Sequence, residues 1–264
     1  MSTATLDLSG TRPTPLRRLV LVELRKSYDT RAGFWLLFTI ALLITLIELV
    51  TLIAVNAQDA LMDFTAFTGS VFFVCLVLAP LLGIMLVTTE WSQRSAMVTF
   101  ALEPERLKVL AAKLVTAVLL GLATVVLMFA VATVCTAICE VLQPELTQWA
   151  VEWQFLLVGA PLTLTVTMLF GFALACLFLN TPASIVSFLL IWLTSLPVLG
   201  VIAGLIPAFE DAVPWLAVQI NVLELSDGFP GSASEWGQLL VTLLVWIVVP
   251  LGLGAWRILR AEVK

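Results

Sequence analysis

TEWSQRSAMVTFALEPERLKVLAAKL, residues 89–114, is a dense cluster of charge between two long apolar runs, and the rest of the chain is read outward from it. Glu90, Arg94, Glu103, Glu105, Arg106, Lys108 and Lys113 fall inside it, whereas residues 71–87 and 114–138 contain no Asp, Glu, Lys or Arg. Its pattern is that of two helical pieces with a corner between them. Glu90 and Arg94, four apart, are placed to pair on one helical face. Pro104 disfavours a helical conformation at Glu103, so the first piece stops near Leu102. The same proline suits the first turn of a new helix, where no amide hydrogen is needed, and Glu103 and Glu105 then lie at that helix's positive end. The simplest account is a solvated loop between two spans; the alternative is a built contact surface.

The flanking runs set the class. The chain is 61% hydrophobic and 12% charged, far from the roughly 45–50% apolar content of soluble domains. Apolar segments of about 20 residues, the length that crosses a bilayer, recur along it. The expected fold is all-α: a polytopic bundle of six transmembrane helices, over about 33–55, 67–88, 109–139, 155–179, 183–205 and 236–256, in a single membrane domain of residues 14–264. The third span is longer than a bilayer requires, so its inner end projects or tilts.

Ahead of the first span, residues 1–13 read as a flexible N-terminus. Thr14-Pro15 then reads as a helix start. Leu16, Leu19, Val20 and Leu24 recur at helical spacing, with Arg17, Arg18, Arg25 and Lys26 as a basic face. An amphipathic helix over about 14–30 can lie along an anionic leaflet. The apolar run after Arg31 exceeds the 7–15 residues of a signal-peptide core, so it reads as a retained anchor.

Charge gives the orientation. Each of the 13 Lys and Arg precedes the first span, lies in or beside the second-to-third connection, or follows the last span. Positive charge stays inside, so both termini are expected in the cytoplasm of a cell-membrane protein. With no histidine in the chain, histidine metal sites and Ser-His-Asp triads are excluded. No intramembrane pair of carboxylates is evident, which argues against an intramembrane enzyme. Cys75, Cys135, Cys139 and Cys176 fall in apolar runs and read as small core residues.

Glu48 stands alone as an ionisable residue well inside a span. It is either a group on a translocation path or a protonated or hydrogen-bonded acid packed toward the outer third of the first span. Gly200 and Gly204 form a GxxxG pattern, read as close helix packing within the bundle. Residues 206–222, broken by Pro207 and Pro214, are either short helices dipping into the outer leaflet or a loop resting on the bundle. No nucleotide-binding P-loop occurs.

Taken together, the chain resembles a permease subunit of the type-2 ABC exporters. Members commonly carry a glutamate, a Gly-Thr pair, an apolar stretch, a proline with a following arginine, and an Ala-Lys entering the third span. Here these are Glu90, Leu102, Pro104, Arg106, Ala112 and Lys113, with Arg94-Ser95-Ala96 standing where the Gly-Thr pair falls. The resemblance implies a transport subunit that is not itself an enzyme and binds no cofactor. ATP and Mg would belong to a separate ABC ATPase subunit, in two copies, docked on the cytoplasmic face. A second permease half, this chain or a paralogue, would complete the pathway among membrane lipids, with no nucleic acid involved. Glu90, Arg94, Glu103, Pro104, Arg106 and Lys108 would form the coupling interface. The competing reading is a non-transporting sensor or immunity subunit on the same bundle.

Overall fold

The structure, a computed structural model, describes residues 14–93 and 95–260. The expected N-terminal tail at 1–13, the Arg94 partner expected for Glu90, and Lys264 lie outside the described residues. Among the described residues six helices are long and apolar enough to cross a membrane, and the fold is the all-α bundle of a multi-pass membrane protein.

Helix α1 (Leu16–Asp29) is followed by α2 (Arg31–Gln58), the first span. Pro15, not Thr14, is the cap of α1, and Thr30 forms the corner, its hydroxyl accepting from the Gly33 amide at 3.2 Å. The second span is α3 (Phe64–Ser92), capped by Asp63, whose carboxylate accepts from the Ala66 amide at 2.6 Å. A short helix α4 (Ala96–Leu102) leads to α5 (Arg106–Leu142), the third span. Its 37 residues make it about 55 Å long at 1.5 Å per residue, against about 30 Å of hydrocarbon.

The fourth span opens with a π-helical turn at Phe155–Gly159 and continues as α6 (Ala160–Phe178). The fifth, α7 (Thr181–Leu205), is capped by Asn180 with a proline in its first turn. After a 3₁₀ turn at Pro207–Ala212 come α8 (Val213–Leu216) and α9 (Val218–Asp227). The sixth span joins α10 (Ala233–Leu243) to α11 (Val249–Arg260) through a second π turn at Leu244–Val248. Ser232 and Glu235 cap it reciprocally, the pairing of a capping box.

Helix α6 is the axis of the bundle and packs on α3, α5, α7, α9 and α11. A Cβ at Gly254 of α11 would stand 2.5 Å from the Cys176 backbone, so only glycine permits that approach. All four cysteines are buried and unbonded to one another, as expected of core residues.

One expectation is corrected. Beyond its own stretch of helix, no described atom lies within 4 Å of a Cβ built at Gly200 or Gly204. Both glycines are exposed, so they do not pack helices together within this chain. Of the two readings open for residues 206–222, the segment takes that of short helices, packed against α6 and α7, with Val218, Val222 and Leu225 buried. Its polar groups find protein partners. Gln219 donates to the Trp192 carbonyl, and Asn221 donates to the Pro214 carbonyl at 2.6 Å and to Thr242 at 3.0 Å.

The helices alternate in direction, so α1, the α3–α5 connection, the α6–α7 turn and the end of α11 gather at one end. Contacts tie them: Thr181 donates to Thr88 at 2.8 Å, Arg257 to the Leu177 carbonyl at 2.7 Å, and Arg106 to the Ile258 carbonyl at 2.7 Å. Every described Lys and Arg lies at this α1 end. At the opposite end, two-residue strands β1 (Met62–Asp63) and β2 (Thr147–Gln148) pair in parallel.

Candidate functional site

The charged stretch contains two corners, where its sequence pattern called for one. Helix α3 carries Glu90 in its last turn and ends at Ser92. The amides of Gln93 and Ser95 fold back to the carbonyls of Thr89 and Glu90, both at 2.9 Å. The second corner is the expected one: α4 stops at Leu102, and Glu103 is extended (φ −134°, ψ 98°) ahead of Pro104. Pro104 stands outside α5 rather than in its first turn, with Glu105 as the cap.

Glu90 does not point outward. It belongs to a closed ring of four charges drawn from three helices. Lys26 of α1 binds Glu23 at 2.7 Å and Glu90 at 2.8 Å; Lys113 of α5 binds Glu23 at 2.6 Å and Glu90 at 3.1 Å. Two acids and two bases alternate, and the ring is neutral. Thr99 of α4 donates to the same Glu90 oxygen at 3.2 Å, and Lys113 also donates to the Leu86 carbonyl at 2.9 Å. Glu23, Glu90 and Lys113 are 4%, 8% and 5% exposed.

Desolvating any of these alone costs several kcal/mol, on the order of 5, so the arrangement holds only while complete. At Lys26, burial works against the charged form. The hydrogen bonds and charges of Glu23 and Glu90 outweigh it, leaving the ammonium above its ordinary value of 10.5. The ring fastens α1 to the ends of α3 and α5, and through Thr99 to α4.

Of the other described charges of the connection, Glu103, Arg106 and Lys108 also turn toward the protein, while Glu105 stays exposed. Lys108 lies 4.0 Å from Glu103 and 3.7 Å from Glu105. Arg106 sits 4.9 Å above the Phe100 ring while its guanidinium reaches the end of α11. The outward face of α4 is apolar: Val98 and Leu102 are 62% and 80% exposed, and Met97 and Leu107 are exposed beside them. The sequence pattern pointed to a charged contact face. The folded chain spends Glu90, Glu103, Arg106 and Lys108 on its own corners and presents an apolar α4.

Glu48 is elsewhere, in mid-α2, and 0% exposed. It does not snorkel to an interface, and neither carboxyl oxygen has a hydrogen-bond partner among the described residues. No group of three or more Cys, Asp or Glu among the described residues gathers closely enough to hold a metal ion.

No protein-family model and no curated protein sequence matches the chain. The functional reading therefore rests on the geometry and on the sequence pattern.

Proposed function

We propose that the chain is the membrane-spanning permease subunit of an ATP-driven exporter of the type-2 ABC kind. A separate ATPase subunit, in two copies, docks at the α1 end, and a second permease half completes the pathway. The observation that supports this most is the charge ring. It joins the amphipathic helix and the 89–108 connection into one stiff unit, and that unit displays an exposed apolar α4. A push on α4 reaches α3 and α5 directly through Glu90, Thr99 and Lys113. Such a unit suits transmission of force better than a solvated loop, which has no need of a buried ring. On this reading Glu90 acts from inside as a positioning residue, and Met97, Val98 and Leu102 join the coupling surface. The segregation of Lys and Arg supports both termini facing the cytoplasm.

The test is co-purification from native membranes, asking whether an ATP-binding subunit accompanies the chain. Leu102→Glu should reduce that association while leaving the chain inserted. Arg106→Glu and Pro104→Ala should re-aim α4 and lower coupled efflux per ATP hydrolysed. Normal complex formation and normal coupled efflux in all three would sink the coupling role. Absence of any ATPase partner would favour the sensor reading.

A further inference from the structure

A groove of about 680 Å³ runs between α1, the end of α3, α4 and the start of α5. That lies within the roughly 300–1,000 Å³ of pockets that enclose a small ligand. Its walls are mainly apolar, with Leu19 and Val22 from α1, Met85 from α3, and Val98 and Leu102 from α4. Val22, Val98 and Leu102 are exposed at its rim. The charge ring forms part of its wall but contributes no net charge, and Glu103 is offset by Lys108. The remaining cation in the lining is Arg18, which has no ion-pair partner among the described residues.

The geometry points to a binding site for one anionic phospholipid drawn from the leaflet beside α1, its phosphate on Arg18 and an acyl chain along the groove. The chemistry selects this occupant. A soluble phosphate compound would leave the apolar walls wet. A neutral hydrocarbon would leave Arg18 unmatched. An amphiphile with an anionic head satisfies both, and α1, with its basic face, lies where such lipids concentrate. Occupancy would fill the space between α1 and α4 and so brace the unit that the ring closes. The site stands on the membrane fold alone and does not need the exporter reading.

The experiment is native mass spectrometry of the full chain purified without any ATPase. It is released from nanodiscs containing equal phosphatidylglycerol and phosphatidylcholine. The expected result is one retained phosphatidylglycerol per chain, preferred about fivefold, the equivalent of the about 1 kcal/mol that one basic residue contributes against an anionic lipid. Arg18→Gln should bring the preference to parity, whereas Arg17→Gln, an exposed neighbour outside the lining, should leave it. Val98→Trp and Val22→Trp, from two different walls, should each expel the lipid while the thermal transition shows the chain folded. Equal retention in both tryptophan variants would overturn the proposal, as would equal retention of the two lipids by the wild type. A wild type that retains no lipid would overturn it too. Because no ATPase is present, loss of the lipid site leaves the exporter reading untouched, and failure to find an ATPase leaves the lipid result standing.

Discussion

Glu90 and Glu48 are both buried carboxylates at helices of the same bundle, and they are held in opposite ways. Glu90 has two ammonium partners and a hydroxyl; Glu48, with no exposure, has none among the described residues. Burial by itself therefore says little about a charged side chain. At the α1 end the cost of desolvation is offset by a complete ring, and the ring in turn specifies how three helices meet. In mid-α2 the cost is left standing, which marks Glu48 as a residue whose value to the protein is not stability in this conformation.

The contrast can be broken by removing a partner from the ring. Lys113→Met should destabilise the chain by about 3–5 kcal/mol, because it strips both glutamates of one cation at once. Denaturant titration in detergent measures this, and a loss below about 1 kcal/mol would mean the ring is solvated in the membrane-bound protein. The opposite sign is expected at the other site. Glu48→Met should stabilise by about 1–3 kcal/mol, since it replaces an unsatisfied polar group with an apolar one of similar reach. Destabilisation would reveal a partner for Glu48 and erase the contrast.

Two smaller effects sharpen the comparison. Thr99→Val should cost about 1 kcal/mol, the usual worth of one hydrogen bond, and should loosen α4 without disturbing α1. Spin labels on α4 and α3 would report that selective loosening. The smallest effect is at Lys26. Its ammonium is held above the ordinary 10.5 in the folded chain, so its contribution is fully present below 10.5 and is lost as pH rises through the higher folded value. A thermal-stability profile should stay flat with respect to this group until strongly alkaline pH and then fall. Lys26→Met should remove that part of the fall.

Much of the fold was legible because lipid-facing helices announce themselves by length and apolarity. All six spans fall where the hydropathy places them, and Pro104 set the corner at Glu103. The charge ring was not legible, since its members are far apart in sequence and each has a more local explanation. Glu23 sits among the basic residues of α1, where a neighbouring lysine or arginine already accounts for an acid. A signal was nonetheless present. Glu23 follows Leu19 by four and Val20 by three, so it lies on the apolar stripe of the helix rather than on its basic face. Lys113, likewise, stands inside an apolar run. Two opposite charges on faces meant for burial invite pairing, but nothing local says with which helix. The exposed apolar α4 was hidden for a related reason: charges flank it in sequence, and the fold turns Glu90, Glu103, Arg106 and Lys108 inward.

The ring also fixes an order of events during synthesis. Glu23 and Lys113 are 90 residues apart, so at about 5–20 residues per second the ribosome makes the acid roughly 5–18 s before its base. For that interval Glu23 lacks its Lys113 partner, and α1 has only α2 and the end of α3 to dock on. Its basic, amphipathic surface gives it a place to wait, flat against the lipid headgroups, until the third span arrives and draws Glu23 off the bilayer into the bundle. The helix is thus a passenger of the membrane first and a member of the fold second.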